Sequence, residues 1–166
     1  MTSLECLKEA FAGESQANRR YLAFAKKADA EGFPQVARLF RAAAAAETVH
    51  AHAHLRAMNG VGSTMANLLV AIAGEAHEFQ KMYPEFIQAA VGEGHSAALK
   101  SFKNAMPVEE VHHRLYSEAA EAVKSGKDLP ETAVYVCEIC GHTVAGEAPD
   151  HCPICGAKKE KYSEVR

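Results

Sequence analysis

Four stretches of helical periodicity each place an ionisable side chain on the stripe that should be buried. In the first, Leu4, Leu7, Phe11, Ala17, Tyr21, Phe24 and Ala28 recur at helical spacing, and Glu14 falls on the same face, seven residues from both Leu7 and Tyr21. A second helix opening at Pro34 carries Val36, Leu39, Phe40, Ala43 and Ala57, with Glu47 and His50 three apart among them. A third, capped by Ser63 or Thr64, carries Glu75 and Glu78 among Leu68, Leu69, Ile72, Phe79, Met82 and Phe86. The fourth, over about residues 96–123, sets Glu109 and His112 with Ala105, Val108, Leu115 and Ala119, whereas Glu110 and His113 fall on its polar face. The breaks lie at Gly32 to Pro34, Asn59 to Gly62 and Gly92 to Gly94. Pro84 predicts a bend in the third helix, and Pro107 a kink or bulge in the fourth.

Unpaired buried carboxylates are costly, and five of them converging with two imidazoles would repel one another unless cations were present. Hard oxygen ligands mixed with imidazole suit iron or manganese better than a thiolate-seeking metal. One Glu from each of two helices, here Glu14 and Glu75, plus a Glu-x-x-His from each of the other two, here Glu47/His50 and Glu109/His112, is the ligand pattern of diiron carboxylate bundles. The interval from Glu14 to Glu47 is 33 residues and that from Glu75 to Glu109 is 34, as duplication of a two-helix unit would give. His52 and His54 alternate faces with His50 and cannot close on one ion with it. His77, His95 and His113 read as solvated, and Tyr21 and Tyr83 as core aromatics able to hydrogen-bond a ligand carboxylate.

A composition change follows Ser125. Residues 127–132 read as a linker, and residues 133–166 hold short β-branched runs and two Cys-x-x-Cys knuckles, Cys137/Cys140 and Cys152/Cys155, each followed by glycine. Four thiolates at this spacing make a tetrahedral site for iron or zinc, and a module this small needs such a staple to fold. Lone Cys6 reads as inert.

The chain has 166 residues and a net charge of −3, with its basic residues interleaved among acids, which argues against a nucleic-acid partner. The most apolar stretch, Met65 to Ala73, is too short to span a membrane, and Glu5 and Glu9 stand where a signal peptide would be basic and then apolar. The expected location is cytoplasmic, where clustered cysteines bind metal rather than pair as disulfides.

Ala10-Phe11-Ala12-Gly13-Glu14-Ser15-Gln16-Ala17, Ala71-Ile72-Ala73-Gly74-Glu75 with Met82-Tyr83-Pro84 after it, and the Cys152-Pro153-Ile154-Cys155-Gly156 knuckle give the sequence a resemblance to the rubrerythrin family along nearly its whole length. The resemblance implies a mainly α fold: a ferritin-like four-helix bundle over residues 1–126, then a small β-rich rubredoxin-like metal domain over 133–166. It implies a diiron site held by Glu14, Glu47, His50, Glu75, Glu78, Glu109 and His112, with Tyr21 and Tyr83 beside it. Glu47 and Glu109 would bridge, Glu14 and Glu75 would be terminal, and His50 and Glu78 would alternate on one iron. Cys137, Cys140, Cys152 and Cys155 would hold a single iron, with zinc possible as prepared. The implied activity is reduction of hydrogen peroxide in oxidative-stress protection, with electrons from an external rubredoxin or NAD(P)H-dependent reductase. The alternative is ferroxidase or iron-storage action.

Bundles of this family run the second and third helices parallel, so the connection must travel back along the bundle. From His50 the second helix rises about 12 Å to Met58, and the third rises about 15 Å from Met65 to Glu75. Six residues, Asn59 to Thr64, reach only about 20–25 Å, too little for the roughly 27 Å required. The expectation is a domain-swapped homodimer, in which the first two helices of one chain complete a bundle with the last two of another.

Overall fold

The computed structural model describes residues 1–165, which divide into two units, Met1–Gly62 and the chain from Ser63 onward.

The first unit is a hairpin of α1 (Ser3–Ala30) and α2 (Pro34–Ala57). Thr2 and Glu5 form a reciprocal capping box at the start of α1: the Thr2 amide donates to Glu5 Oε2 at 2.6 Å, and the Glu5 amide donates to Thr2 Oγ1 at 3.2 Å. Gly32, at φ 83, turns the chain, and Pro34 opens α2 in the first helical turn, where its missing amide costs nothing. The seam is built from alanines. Ala25, Ala28, Ala37, Ala44 and Ala51 are all buried, so the helix backbones approach closely. Asn18, also buried, donates through Nδ2 to the Ala44 carbonyl at 2.7 Å and to Thr48 Oγ1 at 2.8 Å, fixing the register of α1 on α2. Tyr21, Phe24 and Phe40 form an aromatic cluster with ring centroids 5.6–6.3 Å apart.

The second unit opens with α3 (Thr64–His77), whose Ser63 hydroxyl accepts from the Ala66 amide at 3.2 Å. A single π-turn, Glu78–Met82, joins it to α4 (Tyr83–Gly92), and α5 (Ser96–Lys124) packs back against both. Where the sequence predicts a bend at Pro84, the helix takes this π-turn just before it. Pro84 follows the π-turn, in the first turn of α4, and the wider turn ahead of it absorbs the register change. No bulge forms at Pro107, since α5 runs through it without interruption.

Three antiparallel strands follow in the order β2-β1-β3: β1 is Val134–Cys137, β2 Thr143–Ala145 and β3 Tyr162–Val165. This sheet packs on α5, and a Cβ at Gly141 would meet Val108 at 3.7 Å.

Several apolar residues expected in the core are open to solvent. Leu4, Phe24, Val36 and Leu39 of the first unit are exposed, Leu39 by 69%, and so are Leu69 and Phe86 of the second, beside Val70. The reason is geometric: a two-helix layer gives each helix one neighbour, which covers one face, and a second apolar stripe has nothing to cover it within its own unit. His113, expected in solvent, packs edge-on against Phe79 at 5.5 Å.

Candidate metal centres

In the first unit, Glu14 of α1 and Glu47 and His50 of α2 bring three ligand atoms within 4.8 Å of one another. His50 Nδ1 lies 3.2 Å from Glu47 Oε2 and 3.8 Å from Glu14 Oε2. The two carboxyls perturb each other. Its hydrogen bond to Glu47 pushes the Glu14 carboxyl above the usual range, and the same bond holds Glu47 below it. The Asn18 and Thr48 contacts, one turn from Glu14 and next to Glu47, hold the helices at this distance.

The second unit repeats the arrangement. Glu75 of α3 and Glu109 and His112 of α5 also lie within 4.8 Å, with His112 Nδ1 2.9 Å from Glu109 Oε2 and 3.8 Å from Glu75 Oε2. Burial raises the Glu75 carboxyl, helped by Glu109 and opposed by His112. In each group two carboxylates and an imidazole converge within 4.8 Å, and a divalent cation there would relieve the repulsion that helps raise one carboxyl of each pair.

The two groups are related residue by residue. Tyr21, Phe24, Phe40, Glu47 and His50 recur sixty-two residues later as Tyr83, Phe86, Phe102, Glu109 and His112, while Glu14 recurs after sixty-one as Glu75. The one extra residue therefore lies between Glu75 and Tyr83, where the π-turn is. By widening the helix there, the π-turn keeps Tyr83 in a cluster with Phe86 and Phe102, as Tyr21 is with Phe24 and Phe40.

Glu78, the first residue of that turn, has no acidic counterpart in α1 and stands outside the Glu75/Glu109/His112 group. It is half-buried, and burial, then the Glu75 charge, raises its carboxyl. Burial likewise raises the Tyr83 phenol, as do the charges of Glu109, Glu78 and Glu75, so this tyrosine lies among the carboxylates.

Cys137, Cys140, Cys152 and Cys155 converge at the knuckle end of the sheet. The Cys137–Cys155 and Cys140–Cys152 sulfurs are 3.7 and 3.5 Å apart, close to the edge of about 3.8 Å that a tetrahedron with roughly 2.3 Å metal–sulfur bonds requires. Gly141 and Gly156, at φ 88 and 73, turn their own amides onto the Cys137 and Cys152 carbonyls. The amides that follow, of His142 and Ala157, point at the sulfurs of Cys140 and Cys155. Burial disfavours the Cys152 thiolate, but the Tyr162 hydroxyl and the Ile154 and Cys155 amides outweigh it and bring the thiol down to about 6. Buried His142 holds that tyrosine through Nδ1, 2.8 Å from its oxygen. Cys6 is exposed and takes no part.

Sequence reasoning missed Thr143. Its hydroxyl lies 2.9 Å from His112 Nε2 and 3.0 Å from the Gly141 carbonyl, which places it between the Glu/His group and the cysteine knuckle. A threonine in a β-branched run carries no sign of that role, and neither does Tyr162.

Helical hairpins bearing mirrored Glu and Glu-x-x-His groups, followed by a four-cysteine sheet module, define a diiron carboxylate protein with a rubredoxin-like domain. The chain belongs to the rubrerythrin family: the model described as Rubrerythrin matches residues 5–120, and that described as Rubrerythrin, rubredoxin-like domain matches residues 135–163. Rubrerythrin-2 of Clostridium acetobutylicum is 34% identical over 94% of this chain and 92% of its own length. Nigerythrin of Nitratidesulfovibrio vulgaris is 36% identical over 98% of this chain and 86% of its own. The solved structure of fully reduced, all-ferrous nigerythrin aligns with a TM-score of 0.59 at 34% identity, covering 99% of this chain and 87% of that one. The cofactors are those of the family, a diiron-type centre at the Glu/His groups and a single iron at the four cysteines. Among the described residues no helix is long and apolar enough to cross a membrane.

Proposed function

We propose that the protein is a cytoplasmic peroxidase that reduces hydrogen peroxide to water, with electrons entering through the four-cysteine centre from an external rubredoxin or NAD(P)H-dependent reductase. The observation that carries the reading is the pairing of two mirrored Glu/Glu-x-x-His groups with a rubredoxin-like module hydrogen-bonded to one of them, at His112 and Thr143. An iron storage site would use the carboxylates and leave that module without a task.

In this reading residues 1–126 are the diiron domain, 127–132 the linker and 133–166 the electron-entry domain. Glu14, Glu47, His50, Glu75, Glu78, Glu109 and His112 hold the iron pair, which supplies two electrons to one peroxide. The chain supplies the rest. Reduction to two waters consumes two protons, and the Tyr83 phenol, kept protonated by burial and by the charges of Glu109, Glu78 and Glu75, is a proton-bearing group among these carboxylates. Tyr21 and Tyr83 pack in equivalent aromatic clusters of the two hairpins, against Phe40 and Phe102.

The active form is a domain-swapped homodimer in this reading. Only residues 58–63 separate α2 from α3, too few to run back along a bundle in which those helices are parallel. The uncovered apolar faces at Leu39, Leu69 and Val70 are what a second copy would bury.

The test is anaerobic reduction of the iron-loaded protein until the ferric-thiolate colour bleaches, then addition of one equivalent of hydrogen peroxide. Return of the colour much faster than with dioxygen supports the peroxidase. Return no faster than with dioxygen points to ferroxidase or storage chemistry, and a sample colourless throughout means zinc in the knuckles.

A further inference from the structure

We infer that Thr143 couples the two kinds of metal site, so that loading the four-cysteine knuckle tightens metal binding at Glu75, Glu109 and His112. The inference rests on the reading of both clusters as metal centres and assigns Thr143 as a positioning residue acting through His112.

His112 offers Nδ1 to the carboxylates, 2.9 Å from Glu109 Oε2, and Nε2 to Thr143, 2.9 Å from Oγ1. Thr143 has one hydroxyl proton and two acceptors within reach, His112 Nε2 and the Gly141 carbonyl at 3.0 Å. Two arrangements of the protons fit these distances. In one, Nδ1–H donates to Glu109 and Nε2 accepts the threonine proton. In the other, Nε2–H donates to Thr143, which donates onward to Gly141, and Nδ1 is left with a free lone pair. Only the second can bind a cation at Nδ1.

The choice falls to the Gly141 carbonyl. Gly141 directly follows Cys140, and its amide is bonded to the Cys137 carbonyl at 2.8 Å, so it belongs to the knuckle. A metal held by the thiolates fixes that knuckle and with it the acceptor for Thr143. The hydroxyl proton is thereby drawn toward Gly141, and His112 takes the tautomer that binds metal. By linkage, a cation at His112 tightens the cysteine site by the same factor.

The probe is cobalt(II), whose visible bands distinguish carboxylate and imidazole ligation from thiolate ligation. In full-length protein with zinc in the knuckle, cobalt is expected to bind the Glu75/Glu109/His112 site about ten-fold more tightly than in the Cys137→Ser/Cys140→Ser variant. Zinc-loaded Thr143→Val should bind cobalt as weakly as that variant, whereas Thr143→Ser should restore the tight binding. Nitrogen-15 shifts of His112 in the zinc-loaded wild type should show Nε2–H, a readout that needs no variant. Equal cobalt affinity with and without the knuckle, full affinity in Thr143→Val, or an Nδ1–H tautomer would each overturn the coupling. Absence of any carboxylate-site cobalt bands would overturn the metal-centre reading on which it rests.

Discussion

The backbone amide of Tyr83 donates to the carbonyl of Glu78, five residues back, and this one bond marks where the second helical hairpin departs from the first. Deleting exposed Gln80 should let the π-turn relax to an ordinary helix, with Tyr83 then seven residues after Glu75 as Tyr21 is after Glu14. The variant is expected to melt higher than the wild type and to lose affinity for iron by about ten-fold, since Glu78 and Tyr83 are reset relative to Glu75 and Glu109. Calorimetry of the metal-free form and an iron titration check the two halves of this expectation.

The raised carboxyls of Glu75 and Glu78, each perturbed first by burial, predict how the metal-free protein responds to pH. The folded chain holds these protons more tightly than the unfolded chain, so their contribution to stability is greatest in acid. It declines as pH rises from the ordinary carboxylate range through the raised values, and is level above them. Glu47, with a lowered pKa, acts with the opposite sign, and its contribution is lost as pH falls through that lowered value. Melting temperatures of Glu75→Gln/Glu78→Gln should therefore fall less with rising pH than those of the wild type. Saturating ferrous iron under anaerobic conditions should remove the decline.

Tyr162 donates to the Cys152 sulfur and is itself held by His142. Tyr162→Phe removes one oxygen, and in the metal-free protein the Cys152 thiol is expected to rise from about 6 toward the ordinary cysteine range, read from the ultraviolet absorbance of the thiolate. In the iron form the same change should lower the reduction potential, because hydrogen bonds to ligand sulfur favour the reduced state. An unshifted potential would show that the hydroxyl does not act on the metal.

A flexible Gly/Ser insert of about twelve residues between Val61 and Gly62 would let the chain run back along its own bundle. Size-exclusion chromatography with light scattering should show the wild type as a dimer and the insertion variant as a monomer that still binds iron. A monomeric wild type that holds two irons in its Glu/His groups would end the swapped arrangement. Leu39→Lys, on an exposed apolar face, should weaken the wild-type dimer without melting the α1/α2 hairpin.

Much of this was legible in the residues alone. Helical periodicity gives α1, α2 and α5 to within two or three residues, because long amphipathic stripes with Pro34 and the glycine breaks as punctuation leave little choice. Glu109 and His112, rather than Glu110 and His113, follow from the same stripe, and the four cysteines from their spacing. The sequence also records the duplication, in the intervals of 33 and 34 residues.

Tertiary structure alone decided the rest. The one-residue difference between those intervals takes the form of a π-turn at Glu78–Met82 because the helix must keep Tyr83 packed on Phe86 and Phe102, a contact no local pattern specifies. It decided that apolar stripes at Leu39 and Leu69 stay uncovered within their own units, since burial depends on how many neighbours a helix has and not on its own periodicity. It also brought Thr143 to His112, thirty-one residues away in sequence. A hydrogen bond between a strand and a helix is set by how the sheet docks on α5, and periodicity encodes which face is buried but not which atom lies opposite it.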